Sequence, residues 1–395
     1  MSPADPKGVV APAAPARWWG RHPKTTLIGV VGGVLLLALL AGEIILSGTA
    51  AHPGIPRFIN FREHRPLFQD ALGPTAEDRR NAPDLPCQAY RLEVDAHGFI
   101  KPTAVHAHPQ VTVVFLGGST TECLYMAETE RFPYQAGRRL EQALQIPVNS
   151  LNAGRAGNNS LHSLNILLNK IVPLRPEIVV MMHNINDLII LLYEETYWNQ
   201  NPYKAPILTR QTTLGQSLGE LLGLMRDQAV PHLARALTAA WPQWGGETPT
   251  REFTRTGDGR LEIHPARLLR AFRANLQLFV DLCHLYGLTP VLMTQASRFT
   301  AVPDDFIAGL MRRQEEAYGI AYPDWQRLFA GFNAEIRAVG QANGIVVIDL
   351  VAAIPPEPVY LYDAVHLTAR GASLASEIIY RDLAALLRPQ KDGGP

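Results

Sequence analysis

Val111-Thr-Val-Val-Phe-Leu-Gly-Gly-Ser-Thr-Thr-Glu-Cys123 is the stretch from which the fold of this chain can be worked out. Its first six residues are apolar and mostly β-branched, a composition typical of a buried strand. Two glycines end the strand, and Ser119 follows them at the position where parallel α/β sheets bind ligands. Ser119 and Glu122 also have the spacing of a capping box, which predicts that a helix begins here. Ser119 is therefore either a nucleophile presented by a helix or only the residue that caps it.

The same strand-then-helix pattern recurs along the rest of the chain. Apolar runs predict further strands at 147–151, 177–182, 287–295 and 344–350. Amphipathic runs predict helices at 120–144, 161–174, 266–286, 324–343 and 372–387, and the alternating stretch 90–100 predicts a hairpin. Five short strands that alternate with helices predict βαβ units and a parallel sheet.

Residues that can take part in chemistry follow four of the five predicted strands. Ser119 follows the first strand, Gly157 the second and Asn186 the third, while Asp363 and His366 follow the fifth. Because the carboxyl ends of parallel strands lie along one edge of a sheet, residues far apart in sequence can converge there. This convergence is a stronger indication of a site than any of the motifs alone.

These five residues are the set that a serine nucleophile needs. His366 can remove the Ser119 proton, provided that Asp363 accepts the other ring N–H and stabilises the imidazolium. The backbone N–H groups of Ser119 and Gly157 and the amide of Asn186 can stabilise an oxyanion. The alternatives are structural: Asp363 and His366 as a helix cap with a surface histidine, and Asn186 as part of a turn.

Four short blocks, in order along the chain, resemble the motifs of the SGNH hydrolases, also called the GDSL lipase and esterase family. They are Gly117-Gly-Ser-Thr-Thr121, Asn152-Ala-Gly-Arg-Ala-Gly157, Asn184-Ile-Asn186-Asp187 and Asp363-Ala-Val-His366. The first block differs from the usual Gly-Asp-Ser-Leu, and Asn184 stands where the family has glycine. The resemblance implies a flavodoxin-like, three-layer α/β/α fold with a five-stranded parallel sheet. It also implies ester hydrolysis without a metal or other cofactor.

The N-terminal region reads as a membrane anchor. Residues 1–24 are a predicted cytoplasmic tail with four basic residues and one acidic residue, and residues 25–47 are a predicted transmembrane helix. The positive flank predicts that the tail is cytoplasmic and that the rest of the chain lies in the periplasm or outside the cell. The alternative is a signal peptide that is cleaved near Gly48-Thr-Ala50.

Residues 48–88 read as a linker that packs partly on the domain, and residues 89–390 as the hydrolase-like domain. Within that domain, residues 188–263 are an insertion between the third and fourth strands, with predicted helical pieces at 214–226 and 230–240. Aromatic residues cluster in it: Tyr193, Tyr197, Trp198, Tyr203, Trp241 and Trp244. Because the insertion begins directly after Asn186, we interpret it as a cap or lid over the site. The alternative is a structural insertion that packs on the sheet edge or on the anchor.

Composition excludes two other classes of site. The chain has 36 basic and 36 acidic side chains, so no basic surface for nucleic acid is indicated. The three cysteines lack the spacing of metal ligands. A disulfide between Cys87 and Cys123 is one alternative, whereas Cys283 lies in a predicted amphipathic helix, where a buried thiol is expected.

The sequence therefore predicts an extracytoplasmic serine esterase that is held at the inner membrane by its N-terminal helix. Its expected substrates are esters, with O-acylated glycans ranked above lipids. Two alternatives stay open: an O-acyltransferase in which a sugar hydroxyl replaces water, and a non-catalytic binding or assembly protein on the same fold. The sequence leaves the oligomeric state undetermined.

Overall fold

The computed structural model describes residues 22–49, 57–76, 79, 85–199, 201, 204–209 and 263–388. The chain divides into two compact units, Met1–Pro56 and Arg57–Pro395. In the first unit, helix α1 (Pro23–Thr49) contains a stretch, Pro23–Gly42, that is long and apolar enough to cross a membrane. A signal sequence near an N-terminus has the same features, so the choice between an anchor and a cleaved signal peptide stays a prediction.

The described part of the second unit contains short strands and helices that alternate. The strands are β1 (Arg57–Ile59), β2 (Gln69–Leu72), β3 (Tyr90–Glu93), β4 (Val111–Gly117), β5 (Val148–Asn152), β6 (Ile178–Met182), β7 (Ile207–Thr209), β8 (Thr289–Met293) and β9 (Val347–Ile348). The helices are α2 (Ser119–Glu122), α3 (Phe132–Leu144), α4 (Ser160–Ile166), α5 (Val172–Leu174), α6 (Ile185–Tyr193), α7 (Pro265–Leu285), α8 (Asp305–Tyr318), α9 (Tyr322–Asn343), α10 (Leu350–Ala353) and α11 (Ala369–Leu387). A π-helical stretch, Leu167–Ile171, joins α4 to α5.

The central sheet has five parallel strands in the order β5-β4-β6-β8-β9. Numbered by their sequence order within the sheet, this is 2-1-3-4-5, the flavodoxin-like arrangement. The first strand, β4, therefore lies inside the sheet. The second strand, β5, is added on one side of it, and the later strands are added on the other side. The parallel sheet and its flavodoxin-like order are confirmed.

Helices cover both faces of this sheet. Successive side chains of a strand point to opposite faces, so Val113 and Phe115 pack on one side and Val114 and Leu116 on the other. Helices α3 and α11 cover the first side, and α4, α7 and α9 cover the second. The three-layer α/β/α architecture is confirmed, and the carboxyl ends of the strands form one edge.

The helix predicted at 120–144 is confirmed only over 132–144, because the chain leaves the helical conformation soon after Ser119. Helix α2 is only four residues long, and Cys123 closes it with a positive φ of 56°. The buried guanidinium of Arg131 then holds the following loop: its nitrogens donate to the carbonyls of Cys123 (3.3 Å), Lys101 (2.9 Å) and Arg91 (2.7 Å). Helix α3 starts only after this anchor.

Two further expectations concern smaller regions. The hairpin expected at 90–100 forms only around its turn, where the Gly98 N–H donates to the Asp95 carbonyl at 3.2 Å and a single bridge joins Val94 to Ile100, while β3 also pairs with β2. The disulfide between Cys87 and Cys123 is absent: both are free thiols, Cys87 is exposed, and buried Cys123 donates to the Thr120 carbonyl at 3.2 Å. Burial raises the pKa of Cys123 to about 12.

The predicted insertion lies mostly outside the described residues, including both of its predicted helical pieces and Tyr203, Trp241 and Trp244. Its described beginning is helix α6, and its strand β7 pairs antiparallel with β1. Its cap or lid role stays a prediction.

Candidate active site

Ser119 is the first residue of α2, and its side chain turns away from that helix. Its Oγ lies 2.6 Å from Nε2 of His366. The expected capping box does not form, because Glu122 bonds elsewhere: Oε1 contacts His64 Nε2 at 2.8 Å, and Oε2 accepts the Ala156 N–H at 2.6 Å. The N-cap of the helix is Gly118, which has no side chain to bond the first turn. Ser119 is thus free of the capping role and faces a base.

His366 is held by the loop that precedes α11. Its Nδ1 lies 2.6 Å from Asp363 Oδ2, and Asp363 Oδ1 accepts the backbone N–H groups of Val365 (2.9 Å) and His366 (2.8 Å). Burial alone would raise the pKa of Asp363, but the charge and hydrogen bond of His366 and these two N–H groups hold it below its ordinary value. An ionised Asp363 accepts a hydrogen bond from the Nδ1–H of His366, which leaves Nε2 unprotonated and able to accept the Ser119 proton.

Tyr362 supports the histidine ring from one side. The two rings are nearly parallel, at 10° and with centroids 5.5 Å apart, and the Tyr362 N–H donates to the His366 carbonyl at 2.9 Å. The imidazole is therefore fixed by its carboxylate partner and by this stacking.

Two of the oxyanion candidates, Gly157 and Asn186, are brought together at Asn158, the residue that follows Gly157 in the chain. Asn186, in the first turn of α6, donates from Nδ2 to the Asn158 carbonyl at 2.8 Å. A Cβ at Gly118 would overlap that amide, so glycine there permits Asn186 to approach the nucleophile's backbone. Gly157 has a φ of +76°, which glycine adopts readily. The structure thus brings Asn186 beside the residue that precedes Ser119.

Asn184, the departure from the family motif, makes its own anchor. Its Nδ2 donates to the Phe329 carbonyl of α9 at 3.0 Å, while its buried Oδ1 has no hydrogen-bond partner among the described residues. This bond ties the start of α6 to α9. Asn186 therefore keeps its place although the glycine is missing.

Gln295, at the end of β8, is a site residue that the sequence reasoning missed. Its Nε2 donates to Thr120 Oγ1 at 2.7 Å, and its Oε1 accepts the Ile185 N–H at 3.0 Å. It therefore connects the nucleophile's helix to the helix that carries Asn186. Its position could have indicated it, because the fourth predicted strand was the one strand of the sheet without a candidate site residue at its carboxyl end.

Arg62 is a second missed residue, in the segment predicted to be a linker. It donates from Nε to Asn158 Oδ1 at 3.0 Å and from Nη2 to the Ala156 carbonyl at 2.9 Å, and its own carbonyl accepts from Asn158 Nδ2 at 2.9 Å. The side chains of Arg62 and Lys204 both lie close to Gly157. A Cβ at that position would be 3.1 Å from Nη2 of Arg62 and 3.1 Å from Nζ of Lys204. Nothing in local sequence periodicity indicates such a contact.

Asp187 anchors the same loop from inside the protein. It is fully buried and accepts hydrogen bonds from the backbone N–H and hydroxyl of Ser160 and from Tyr197 Oη at 2.7 Å. Burial raises its pKa to about 6. Tyr197, one of the insertion's aromatics, is thus part of the buried core in this structure.

Among the described residues, no group of three or more His, Cys, Asp or Glu side chains is arranged to hold a metal ion. The arrangement around Ser119 can instead carry nucleophilic chemistry: a hydroxyl bonded to a base, a carboxylate that orients the base, and an amide donor nearby.

Comparisons with known proteins give similarity at the level of solved structures. A scan against protein-family models and a search of curated proteins find no match. The acetylxylan esterase Axe2 from Geobacillus stearothermophilus has 13% identity, covers 70% of this chain and 94% of its own, and superposes with a TM-score of 0.40.

Two further structures are similar to the same extent. A lipase/acylhydrolase from Enterococcus faecalis has 16% identity, 71% and 100% coverage and a TM-score of 0.40. The α/β hydrolase LAE5 from the Lake Arreo metagenome has 14% identity, 71% and 98% coverage and a TM-score of 0.41. Similarity this low decides nothing about activity.

Proposed function

We propose that this chain is a serine esterase of the SGNH hydrolase family. The observation that carries the proposal is the pair of 2.6 Å hydrogen bonds that link Ser119 to His366 and His366 to Asp363. A serine hydroxyl is a weak nucleophile until an oriented base accepts its proton. The four motif blocks of the family support the same assignment.

In the proposed reaction, Ser119 Oγ attacks the ester carbonyl while His366 Nε2 takes its proton. Asp363 stabilises the imidazolium that forms. The N–H groups of Ser119 and Gly157 and the amide of Asn186 stabilise the oxyanion. His366 then protonates the leaving alcohol, and water, activated by the same histidine, hydrolyses the acyl-enzyme.

We place the reaction outside the cytoplasm, on O-acylated glycans. The apolar helix Pro23–Gly42 with its basic N-terminal flank supports the location. The preference for glycans follows from that location and from the family resemblance. If a sugar hydroxyl replaces water in the second step, the same residues make an O-acyltransferase. Product on an added glycan acceptor would distinguish that reaction from hydrolysis.

A fluorophosphonate probe and p-nitrophenyl esters from C2 to C12 test the proposal. We expect the wild-type chain to be labelled and to hydrolyse the short esters, and Ser119→Ala and His366→Ala to lose hydrolysis. Ser119→Ala should also lose the label, whereas the matched control Ser373→Ala should keep both. An optimum at C2 favours acetyl esters.

Two results would overturn it. Labelling that persists in Ser119→Ala would exclude Ser119 as the nucleophile. A folded wild-type chain that neither hydrolyses esters nor takes the probe would favour the non-catalytic binding protein.

A further inference from the structure

A cavity of about 740 Å³ lies beside His366, and the proposed reaction does not yet use it. Tyr362, which stacks on the His366 ring, also lines the cavity. Tyr125 lines it next to Tyr362, with ring centroids 6.1 Å apart and a tilt of 52°. The cavity therefore begins one aromatic ring away from the proposed base, and its volume is typical of a small-molecule site.

The position of the cavity indicates which part of an ester it would hold. In acyl transfer by a serine, the histidine that accepts the serine proton later protonates the leaving alcohol, so that alcohol must lie on the histidine side. Apart from the Ser119 N–H, the oxyanion donors come instead from the loop that contains Gly157 and from Asn186. Because the cavity adjoins Tyr362 and not that loop, it fits the alcohol portion of the substrate.

The lining of the cavity combines aromatic rings with charged groups. Tyr90, Tyr125, Phe306 and Tyr362 supply the rings. Arg298 is paired with Asp304 at 2.6 Å and lies over the Phe306 ring at 4.8 Å. Flat apolar faces suit the C–H faces of a ring, while charged groups are strong hydrogen-bond partners for hydroxyls.

Arg298 adds a fixed cationic donor to the wall of the cavity. The residue is only 5% exposed, and its Nη2 is paired with Asp304 at 2.6 Å. Because a guanidinium carries five N–H donors, this pair leaves donors for a hydroxyl of a ligand in the cavity. An alkyl chain in the same place would offer them no acceptor.

The charges around the cavity nearly balance. Two arginines, Arg298 and Arg370, and three acidic residues, Glu130, Asp304 and Asp305, line it. A strongly charged alcohol, such as a phospholipid head group, would meet groups of its own sign as well as groups of the opposite sign. A neutral molecule with many hydroxyls fits this mixture better than an ion does.

We propose that this cavity binds the alcohol portion of the substrate and that this alcohol is a carbohydrate. The inference rests on the proposed esterase function, since the side that holds the alcohol follows from the role of His366. Sugar rings lie against Tyr125 and Tyr362, and sugar hydroxyls accept from Arg298 and donate to the carboxylates. An acyl group on a sugar hydroxyl that points past Tyr362 then brings its carbonyl carbon to Ser119 Oγ.

Two valines of similar exposure provide a matched pair of variants. Val359 lines the cavity and is 41% exposed, whereas Val351, on α10, is 39% exposed and does not line it. Glucose penta-acetate and ethyl acetate share the acyl group and differ in the alcohol. We expect Val359→Trp to lower the ratio of their kcat/KM values, sugar ester over ethyl ester, at least tenfold. Val351→Trp should keep the wild-type ratio, and an unchanged ratio in Val359→Trp would overturn the proposal.

Binding without turnover separates this inference from the proposed function. Saturation-transfer NMR with cellotetraose and chitotetraose is measured on full-length Ser119→Ala in a detergent without a sugar head group. We expect binding of at least one tetrasaccharide, which is lost when Val359→Trp is added and kept when Val351→Trp is added. No binding, or binding that Val359→Trp leaves intact, overturns the carbohydrate site even if Ser119 proves to be the nucleophile. Tetrasaccharide binding together with a wild-type chain that neither hydrolyses esters nor takes the fluorophosphonate probe would refute the proposed function alone.

Discussion

At the scale of single residues, Ser119 and Glu122 show how one spacing can serve two different structures. A serine followed three residues later by glutamate is the pattern of a capping box. Here His64 and the Ala156 N–H bind the Glu122 carboxylate instead. Ser119 is therefore available to His366, and the glutamate anchors the loop that carries Gly157.

Asn186 is the residue whose replacement tests the oxyanion site. Asn186→Ala removes an amide donor, and we expect kcat to fall by roughly 10²–10³ with a much smaller change in KM, because such donors act mainly on the transition state. Steady-state kinetics on the best p-nitrophenyl ester measures this. The control is Asn169→Ala, which removes an exposed amide that donates to the Asn165 carbonyl, four residues earlier in the chain. A kcat within about threefold of wild type in Asn186→Ala would contradict the assignment.

At the scale of elements, the loop between β5 and α4 is held from several directions. Arg62 bonds it from the segment before β2, Asp187 bonds it from α6, and His162 bonds it from within α4. His162 accepts the Asn159 N–H on Nδ1 at 3.2 Å and contacts the Lys204 carbonyl through Nε2 at 3.0 Å. These two bonds require a neutral ring with its proton on Nε2.

The titration of His162 therefore predicts a loss of stability in acid. Burial lowers its pKa to about 3, while the unfolded chain keeps a pKa near 6.5. Between these values only the unfolded chain takes up the proton. The contribution of His162 to the free energy of unfolding is therefore fully present above pH 6.5 and is lost as the pH falls toward 3. The loss from this group is at most about 3 kcal/mol at pH 4.5.

His162→Gln should flatten the dependence of Tm on pH between 7 and 4.5 without removing it. Part of the slope remains because burial also lowers the pKa of His183 to about 3. Calorimetry of the wild type, His162→Gln and the exposed control His284→Gln measures the slopes. Identical slopes for all three would show that His162 does not contribute.

At the scale of the whole molecule, the segment before the predicted domain contributes to the candidate site. The compact unit begins at Arg57, and strands β1 and β2 both lie before residue 89. Strand β1 pairs with β7 of the insertion, and Asn60 donates to the Ala205 carbonyl at 2.9 Å. The domain limits of 89–390 stay a prediction, but these contacts favour an earlier start.

Two fragments test where the functional unit begins. We expect a fragment that starts at residue 57 to fold and to keep the esterase activity of the full chain. A fragment that starts at residue 89 should have a lower Tm and at least tenfold lower kcat/KM, because the bonds of Arg62 to the Gly157 loop are lost. Equal Tm and kcat/KM for the two fragments would show that 57–88 is only a linker.

Much of the fold and the five candidate site residues could be predicted from the sequence alone. Strand periodicity placed β4, β5, β6, β8 and β9 correctly, because alternation and glycine turns are local properties of the chain. Residues at the ends of parallel strands must share an edge, so Ser119, Asp363 and His366 could be grouped before their distances were known.

Tertiary structure alone decided what depends on contacts between distant segments. The break after Ser119 follows from the bonds of buried Arg131 to three carbonyls, and the roles of Arg62 and Gln295 follow from partners about 100 residues away. The cavity beside His366 is assembled from four separate stretches of chain. Local sequence determines which way a side chain points along its own element, whereas its partner is determined by the packing of the other elements around it.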